Sequence, residues 1–465
     1  MSRSSLSRRS LLQGGLAALA LPGAGYAALV DAPGNRAATF EADITPPLGH
    51  PLIGGLRRPA VKIADRLLAR GVALLGADKP LVVAALDWCE LRNDAYDQFR
   101  EALAKAAETT RERVLLSCNH QHDAPYCDLT AQKLLAGAGL AGVMFDPAFF
   151  QQAMEASAAA VAKSLATARP ITHVGVGKAQ VERVACNRRV VGADGKPRFN
   201  RYSFVRDPAV RDAPDGEIDP WLQTLSLFDG DDRIVALSYY ATHPMSYYGN
   251  GEVSYDFPGI ARQMRQRETP GTMQIYLTGC SGDVVAAKYN DGTPAGRQAL
   301  AEQLLLGMRG AGEATKRTPL TRVEFRHARM HLPPPDEGPL SAANLTKTLH
   351  DPKADKAARI YAAMGLSYRE RCAANQAIDV PAIDFGPAQL LVLPAELFVG
   401  YQLAAQKMRP DQAILTAGFG ECAPGYTPTD QARREGFVEE HGYCWVRPDV
   451  EATILAAIRE ALGAN

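Results

Sequence analysis

The chain has 465 residues, of which 46% are hydrophobic and 22% are charged, a composition typical of folded globular proteins and unlike that of disordered chains. Lysine and arginine together number 51, and aspartate and glutamate also number 51, so the formal net charge is zero. This balance argues against a nucleic-acid partner, which would require clustered basic residues without matching acids.

The first 27 residues are predicted to be an export signal and not part of the fold. Arg8 and Arg9 precede an apolar run over residues 16–21, and a segment rich in glycine and alanine ends at Ala27. This pattern is typical of a twin-arginine signal, which implies the Tat export machinery as a partner and a periplasmic or secreted location. Because several glycines and Pro22 interrupt the run, no stable transmembrane anchor is expected. The mature domain is expected to cover residues 38–465.

Apolar periodicity predicts strands and helices that alternate along the rest of the chain. The predicted strands cover residues 39–47, 72–75, 81–86, 114–118, 172–176, 234–240, 273–277, 389–393 and 412–418. The predicted helices cover residues 94–108, 149–167, 259–267, 295–309, 356–375, 397–408 and 450–462. Residues 311–356 contain three consecutive prolines and are predicted to form an irregular connection, with a mobile arm over the site as one interpretation. We expect a single large α/β domain built on layered mixed sheets.

Two histidines stand at the end of a predicted buried strand. His120 and His122 follow strand 114–118, and side chains two residues apart in an extended chain point to the same side. Loops at strand ends are also where α/β proteins place their sites. The motif therefore predicts a metal-binding or catalytic role, against the alternative of ordinary surface histidines in a polar loop.

Two further candidate metal ligands also follow apolar strands. His243 comes after strand 234–240, and a histidine there would suit a mononuclear zinc site that needs two or three protein nitrogens. Glu396 lies between strand 389–393 and a helix, where a buried carboxylate is unfavourable unless it is paired or bound to a metal. The structural alternatives are a hydrogen-bonded histidine and a capping or salt-bridged glutamate.

Other polar residues lie in turns that suit substrate contact or catalysis. Tyr426 follows the last predicted strand, where packing is the ordinary alternative. Ser281 lies in a glycine-rich turn that differs from the G-x-S-x-G nucleophile elbow because Asp283 replaces the second glycine. A tight turn with a helix-capping aspartate competes with that interpretation. Asn187 and Arg188 form a candidate clamp for an anionic or carbonyl oxygen, with a solvated charge pair as the alternative.

Taken in order, these segments resemble the catalytic domain of the neutral/alkaline (non-lysosomal) ceramidase family, from about residue 40 to the C-terminus. The motifs that carry the resemblance are Ala42-Asp43-Ile44-Thr45-Pro46, His120-Gln121-His122, Asn187-Arg188, Asp219-Pro220, His243-Pro244-Met245-Ser246, Gly282-Asp283-Val284, Pro394-Ala395-Glu396 and Tyr426-Thr427-Pro428-Thr429. The resemblance implies a fold of two mixed β-sheets sandwiched between helices. It also implies hydrolysis of the amide bond of an N-acylated lipid such as ceramide.

The same resemblance implies a site and one bound Zn²⁺ per chain. The family holds its zinc through two histidines, a glutamate and a tyrosine, which correspond to His120, His243, Glu396 and Tyr426. His122 would then support a ligand or donate a proton, and Arg188 would contact the substrate. Asn187, Ser281 and Asp283 would lie beside the substrate.

Two departures from the family bear on mechanism and substrate. The position of the family's catalytic serine is Val285 here, and the family's C-terminal immunoglobulin-like domain has no counterpart in this sequence. We therefore expect a zinc-dependent amidohydrolase (EC 3.5.1 type) in which metal-activated water attacks the carbonyl of a small-molecule or lipid substrate, with ester hydrolysis close behind. The alternatives are a serine esterase using Ser281 and a non-catalytic envelope protein that binds a lipid or glycan.

Overall fold

The computed structural model describes residues 34–76, 78–436 and 442–464 of the chain. The predicted export signal, residues 1–27, lies outside the described residues. Within them, helices and mixed sheets alternate along the chain, which confirms the α/β class. No helix in the described ranges is long and apolar enough to cross a membrane.

The first sheet has five strands and is buried on both faces. Its strands in spatial order are Val114–Cys118, Leu81–Leu86, Leu68–Leu75, Arg36–Asp43 and Arg169–Pro170. The first two are parallel and the other pairs are antiparallel. All six residues of Leu81–Leu86 are buried because successive side chains alternate between two cores. This double burial explains why the strand appears in the sequence as a continuous apolar run.

Two further sheets complete the strand framework. The second sheet contains, in spatial order, Met273–Thr278, Asp232–Tyr240, Trp221–Asp229, His173–Gln180 and Lys316–Pro319. The third contains Glu324–Met330, Ile378–Asp384, Ala388–Val392 and Ala413–Ala417. The structure therefore has three sheets of four or five strands, where the resemblance implied two. Val83 of the first sheet, Leu237 of the second and Leu390 of the third share one apolar core.

Helices cover the outer faces of these sheets. The longer helices are Asn93–Ala106, Leu129–Gly137, Pro147–Ser164, Asp256–Glu268, Pro294–Glu313, Ala342–His350, Lys356–Ala373, Val399–Met408 and Glu451–Leu462. The short ones are Pro208–Arg211 and Asp430–Glu435, with single 3-10 turns at Ile53–Gly55, Arg111–Arg113, Leu165–Thr167 and Ala287–Tyr289. Each of the longer helices buries one face and leaves the other to solvent.

Five pairs of short strands tie the loops together above the sheets. They are Lys62–Ile63 with Glu252–Val253, Glu90–Leu91 with Tyr126–Cys127, Cys186–Asn187 with Val284–Val285, Arg189–Val191 with Pro197–Asn200, and Glu396–Leu397 with Tyr426–Thr427. The last pair is parallel and places Glu396 opposite Tyr426. Two residues that are 30 positions apart in sequence are thus neighbours in space.

The structure corrects the prediction for residues 311–356. The segment is not an irregular arm, because it contributes the edge strands Lys316–Pro319 and Glu324–Met330 and the helix Ala342–His350. In Glu324–Met330 only Ala328 and Met330 are buried, and three of the other five residues, Glu324, Arg326 and Arg329, are charged. An edge strand of this kind has few apolar residues, which is why apolar periodicity alone missed it.

Candidate metal centre

The candidate site lies where one strand from each sheet ends. Val114–Cys118 leads to His120, Asp232–Tyr240 leads to His243, and Ala388–Val392 leads to Glu396. The ends are joined by backbone hydrogen bonds, because Cys118 N donates to Phe419 O (3.0 Å) and Gly418 N donates to Thr278 O (2.8 Å). This convergence places three distant parts of the chain within reach of one point.

The backbone around the site departs from regular conformations. His120, Ala395 and Phe419 all have positive φ angles, of 64°, 63° and 55°, a region that non-glycine residues rarely adopt. The prediction that His120 and His122 are neighbours is confirmed, with ring centroids 5.5 Å apart. Its reason was wrong, because the chain at His120 is left-handed and not extended.

Three imidazole rings and one carboxylate converge. The Nε2 atoms of His120 and His122 each lie 3.0 Å from His243 Nε2. Glu396 Oε2 lies 3.2 Å from His120 Nε2 and 4.0 Å from His243 Nε2. The ring of Phe419 stacks on His120 with a centroid separation of 4.1 Å and closes one side of the cluster.

Backbone carbonyls fix the tautomers of the two buried ligand candidates. His120 Nδ1 lies 3.1 Å from Cys89 O, and His243 Nδ1 lies 3.2 Å from Ser281 O. We assign the ring proton to Nδ1 in both residues, since a carbonyl can only accept it. Each Nε2 is then left with a lone pair directed at the cluster, the arrangement typical of metal-binding histidines.

Burial lowers the pKa of two of the three rings. Desolvation lowers the pKa of His243 well below the ordinary value of 6.5, and the neighbouring His120 and Arg188 lower it further. The pKa of His122 is lowered in the same way, first by burial and then by the charges of His120, Arg188 and Arg57. Neutral imidazoles are the form that binds a metal cation.

Two buried carboxyl groups lie side by side below the rings. Burial alone would raise the pKa of Glu396, but His120 and Arg188 outweigh it and the pKa is lowered. Burial and the charge of Glu396 raise the pKa of Glu90 well above its ordinary value. Glu90 Oε1 lies 3.6 Å from His120 Nδ1, and Arg92 Nη1 donates to Glu90 Oε2 (3.1 Å). Of the two groups, Glu396 is the one held ionised.

The residues present fit a divalent cation. The Nε2 atoms of His120 and His243 face each other at 3.0 Å, and the buried Glu396 Oε2 has no hydrogen-bond partner within the described parts of the chain. The donor atoms of His120, His243 and Glu396 all lie within 4.8 Å of one another, as do those of Cys89, His120 and His122. A nitrogen and oxygen donor set of this kind suits zinc and related metals.

Tyr426 and Arg188 border the same cluster. Arg188 Nη2 donates to the Tyr426 hydroxyl (3.0 Å) and lies 3.3 Å from His243 Nδ1. The Tyr426 ring stacks against His243 with an interplanar angle of 19°. The structure thus brings together six of the nine residues singled out in the sequence, namely His120, His122, Arg188, His243, Glu396 and Tyr426. Direct metal ligation by Tyr426 stays a prediction.

The other three singled-out residues support the site from outside the pocket lining. Asp283 Oδ1 accepts from Val399 N (2.8 Å), and Asp283 Oδ2 accepts from Asn187 Nδ2 (2.9 Å). Ser281 contributes its carbonyl to His243. Val285, which replaces the serine of the resemblance, is fully buried in a small apolar cluster. A direct contact of Asn187, Ser281 or Asp283 with substrate is not favoured by this placement.

A pocket of about 280 Å³ opens above the cluster. Six of its lining residues are tyrosines, namely Tyr126, Tyr202, Tyr248, Tyr361, Tyr426 and Tyr443. Arg57, Cys89 and Met245 also line it. Sequence reasoning missed all of these except Tyr426. Cys89 carried a usable signal, because it follows the end of the predicted strand 81–86, and Met245 stands in the motif that contains His243. No local motif marks the five other tyrosines or Arg57.

Comparisons with known proteins add the fold relationship. No family model and no curated protein matches the chain. A solved structure described as a ceramidase complexed with C2 has 16% sequence identity and a TM-score of 0.69, covering 92% of this chain and 75% of that one. Neutral ceramidase from Pseudomonas aeruginosa has 17% identity and a TM-score of 0.69, with coverages of 92% and 74%. The resemblance to ceramidases is therefore confirmed at the level of the fold.

Proposed function

We propose that this chain is a metal-dependent hydrolase that cleaves a carbon–nitrogen amide bond. The observation that carries the proposal is the pair of lone-pair-bearing Nε2 atoms of His120 and His243, 3.0 Å apart, beside an ionised Glu396 at the base of an open pocket. We propose zinc as the metal, with Tyr426 as the fourth ligand. Because the two solved structures compared above are ceramidases, an N-acylated lipid such as ceramide is a candidate substrate.

Bound zinc would supply a Lewis acid that lowers the pKa of a bound water to about 7. Arg188 lies beside the cluster, where it is placed to donate hydrogen bonds to the substrate carbonyl oxygen as negative charge develops on it. A donor fixed in a pocket before the reaction starts needs no reorganisation during it. Arg188 would therefore stabilise the tetrahedral intermediate of acyl transfer.

His122 is the group best placed to move a proton. Its Nε2 faces the cluster at 3.0 Å from His243, and its lowered pKa keeps it neutral and able to accept. After taking a proton from the attacking water, His122 would return it to the leaving nitrogen, which must be protonated before the carbon–nitrogen bond breaks. His122 would therefore act first as the general base and then as the general acid.

Metal content is the first test. We expect near one zinc per chain in the wild type by elemental analysis and in a control variant, His350→Ala, whose imidazole is exposed on a helix surface. His243→Ala should lose the metal and lower amidase activity by more than about 100-fold, the upper range for groups that only support a ligand. A folded wild type that takes up no metal after incubation with zinc would remove this mechanism.

The two alternative functions differ in their support. A serine esterase needs a base within about 3.2 Å of its nucleophile, but Ser281 Oγ is buried and has no hydrogen-bond partner among the described residues. Buried Val285 keeps a non-catalytic lipid- or glycan-binding protein as the second candidate, which the metal measurement separates from the first. We also propose Tat-dependent export to the periplasm or beyond, on the pattern of residues 1–27.

A further inference from the structure

Positive charge dominates the mouth and wall of the pocket. Two guanidinium groups line it, Arg188 near the cluster and Arg57 closer to solvent. Among the described residues that line the pocket, Glu396 is the one with a carboxylate. Its Oε2 faces His120 and His243. Any metal cation held there would add further positive charge. The entrance to the pocket therefore attracts anions.

Arg57 is held at the mouth by a turn built for close packing. The preceding 3-10 turn, Ile53–Gly55, is joined to the loop that carries His120 and His122, because Ile53 N donates to Ala124 O (2.9 Å). Gly54 lies against the ring of Tyr126, where an added Cβ would be 3.4 Å from the ring. Gly55 lies so close to Val143 that an added Cβ would be 1.9 Å from its carbonyl oxygen. These contacts fix where the arginine leaves the backbone.

The side chain of Arg57 extends across Gly249, which lies in a different loop. A Cβ added to Gly249 would lie 3.6 Å from Arg57 Cδ, so the arginine stem passes within contact distance of this position. Gly249 N donates to Asp123 Oδ1 (2.9 Å), which joins this loop to the residue after His122. The stem of Arg57 is thus flanked by two loops, and both are hydrogen-bonded to the segment that directly follows His122.

The guanidinium of Arg57 has no acidic partner within 4.0 Å in residues 34–76, 78–436 and 442–464. Its one hydrogen bond there is a long contact to Leu56 O (3.4 Å). Burial raises the pKa of Tyr361, and the charge of Arg57 opposes that rise, which places the charge at the pocket wall. A guanidinium presents a rigid fork of donors that matches a carboxylate.

We propose that the substrate is an amide that carries a carboxylate near the scissile bond, and that Arg57 binds this carboxylate at the pocket mouth. The inference rests on the proposed amide hydrolysis and names the class of substrate that the site takes. The six tyrosine side chains in the lining agree with it, because their hydroxyls suit a polar group better than a purely aliphatic chain. The carboxylate can belong to the amine side or to the acyl side of the amide.

The test compares two acid and neutral pairs. N-hexanoylglycine and N-hexanoylglycinamide differ in charge on the amine side, while N-hexylsuccinamic acid and N-hexylsuccinamide differ on the acyl side. Steady-state kinetics would be measured for the zinc-loaded wild type, Arg57→Gln and Arg58→Gln. Arg58 is a matched control because it is adjacent, exposed and equally charged, but packs toward Gly251 and does not line the pocket.

For at least one pair, we expect the wild type to have a KM at least about 10-fold lower for the acid than for its neutral mate, as a charge-assisted hydrogen bond provides. Arg57→Gln should raise the KM for that acid about 10-fold and change kcat and the KM of the neutral mate less than about twofold. Arg58→Gln should behave as the wild type. The pair that responds identifies the side of the amide that carries the charge.

Direct binding separates this inference from the proposed function. If none of the four compounds is hydrolysed, their binding to the same purified proteins is measured by calorimetry. Binding of an acid that weakens about 10-fold in Arg57→Gln would support the anion site even though the hydrolase proposal had failed. Equal KM or affinity for acids and neutral mates, a preference that persists in Arg57→Gln, or no binding of either acid would overturn the inference.

Discussion

Asp87 shows how a single buried carboxylate holds the loop that carries His120 and His122 in position. It accepts hydrogen bonds from Leu68 N (3.0 Å) and from Asn119 Nδ2 (3.0 Å), the residue just before His120. It also accepts two from the guanidinium of Arg262, at 2.6 and 2.8 Å. Asp87 and Arg262 are each only 1% exposed. The first sheet, the loop and the helix Asp256–Glu268 are therefore connected through one side chain.

We expect Asp87→Asn to lower the free energy of unfolding by about 3–5 kcal/mol, since it leaves the Arg262 charge buried without its counter-ion. Urea unfolding followed by circular dichroism measures the change. The matched control is Asp231→Asn, which breaks an ion pair with Arg317 in which the aspartate is 94% exposed and should change stability by less than about 1 kcal/mol. Equal unfolding midpoints for the two variants would contradict this role of Asp87.

The sequence could predict only those site residues that stand next to a recognisable local pattern. His120, His243 and Glu396 each follow an apolar strand, and a strand end is a local signal that a sequence carries. Arg57 and Tyr443 lie in loops whose positions depend on contacts with distant residues. The Tyr443 hydroxyl, for example, reaches Tyr126 and the carboxylate of Glu90. No pattern near Tyr443 in the sequence indicates those partners.

At the scale of elements, burial on both faces made some strands predictable, and polar side chains concealed others. Strands Leu81–Leu86 and Val114–Cys118 were predicted with the bounds that the structure has. Strand Trp221–Asp229 was missed because Thr224 and Ser226 interrupt its apolar run. Both are buried, and the hydroxyl of Thr224 is satisfied by Ser238 across the strand pair (3.0 Å). The hydrogen bond that makes a buried hydroxyl at Thr224 tolerable is visible only in three dimensions.

Strand Ile378–Asp384 was missed for a different reason. It contains Pro381, which is paired with His327 of the edge strand Glu324–Met330. Proline cannot donate a hydrogen bond to a neighbouring strand and is therefore rare inside sheets. In the sequence, this proline argues against a strand more strongly than the apolar residues around it argue for one. In the structure the strand is almost fully buried.

The turn at Ile53–Gly55 gives a test at this scale. Gly55 has a φ of 78°, and a Cβ there would lie 1.9 Å from Val143 O. Gly142 also has a positive φ, of 71°, but an added Cβ would meet nothing within 4 Å. Gly142→Ala therefore isolates the backbone strain, about 1–2 kcal/mol. Gly55→Ala should lose a further 1–3 kcal/mol or so because of the clash.

Thermal unfolding of the two variants beside the wild type measures this difference. Gly142 directly precedes Val143, so Gly142→Ala and Gly55→Ala change the two loops that meet at the contact between Gly55 and Val143. A lower melting temperature for Gly55→Ala than for Gly142→Ala is expected. If the two melting temperatures are the same, the close approach of Gly55 to Val143 does not constrain the turn that carries Arg57.

At the scale of the whole molecule, the candidate metal centre lies at the junction of the three sheets. His120, His243 and Glu396 follow one strand of each sheet, so a metal bound to all three would join them. The unfolded chain cannot hold these ligands together, because 123 residues separate the first two. Metal binding free energy therefore adds to the free energy of folding.

We expect zinc to stabilise the whole molecule and not only the loops that bind it. At a free zinc concentration 100 times the dissociation constant, stability should rise by about 2.7 kcal/mol. The melting temperature would be measured with a chelator and with added zinc, by tryptophan fluorescence and by circular dichroism in parallel. Both signals should shift together, because Trp88 follows a strand of the first sheet and Trp221 lies in the second.

Glu396→Ala should remove most of this response, while His350→Ala, whose imidazole is exposed, should keep it. The glutamate variant loses a charged ligand and one of the three connections, so zinc would bind more weakly and join only the first two sheets. A wild type that binds zinc but melts at the same temperature with and without it would mean that the unfolded chain binds zinc as tightly as the folded one, which contradicts a site assembled only by folding. A response in Glu396→Ala as large as in the wild type would exclude Glu396 as a ligand while leaving the histidine pair as the centre.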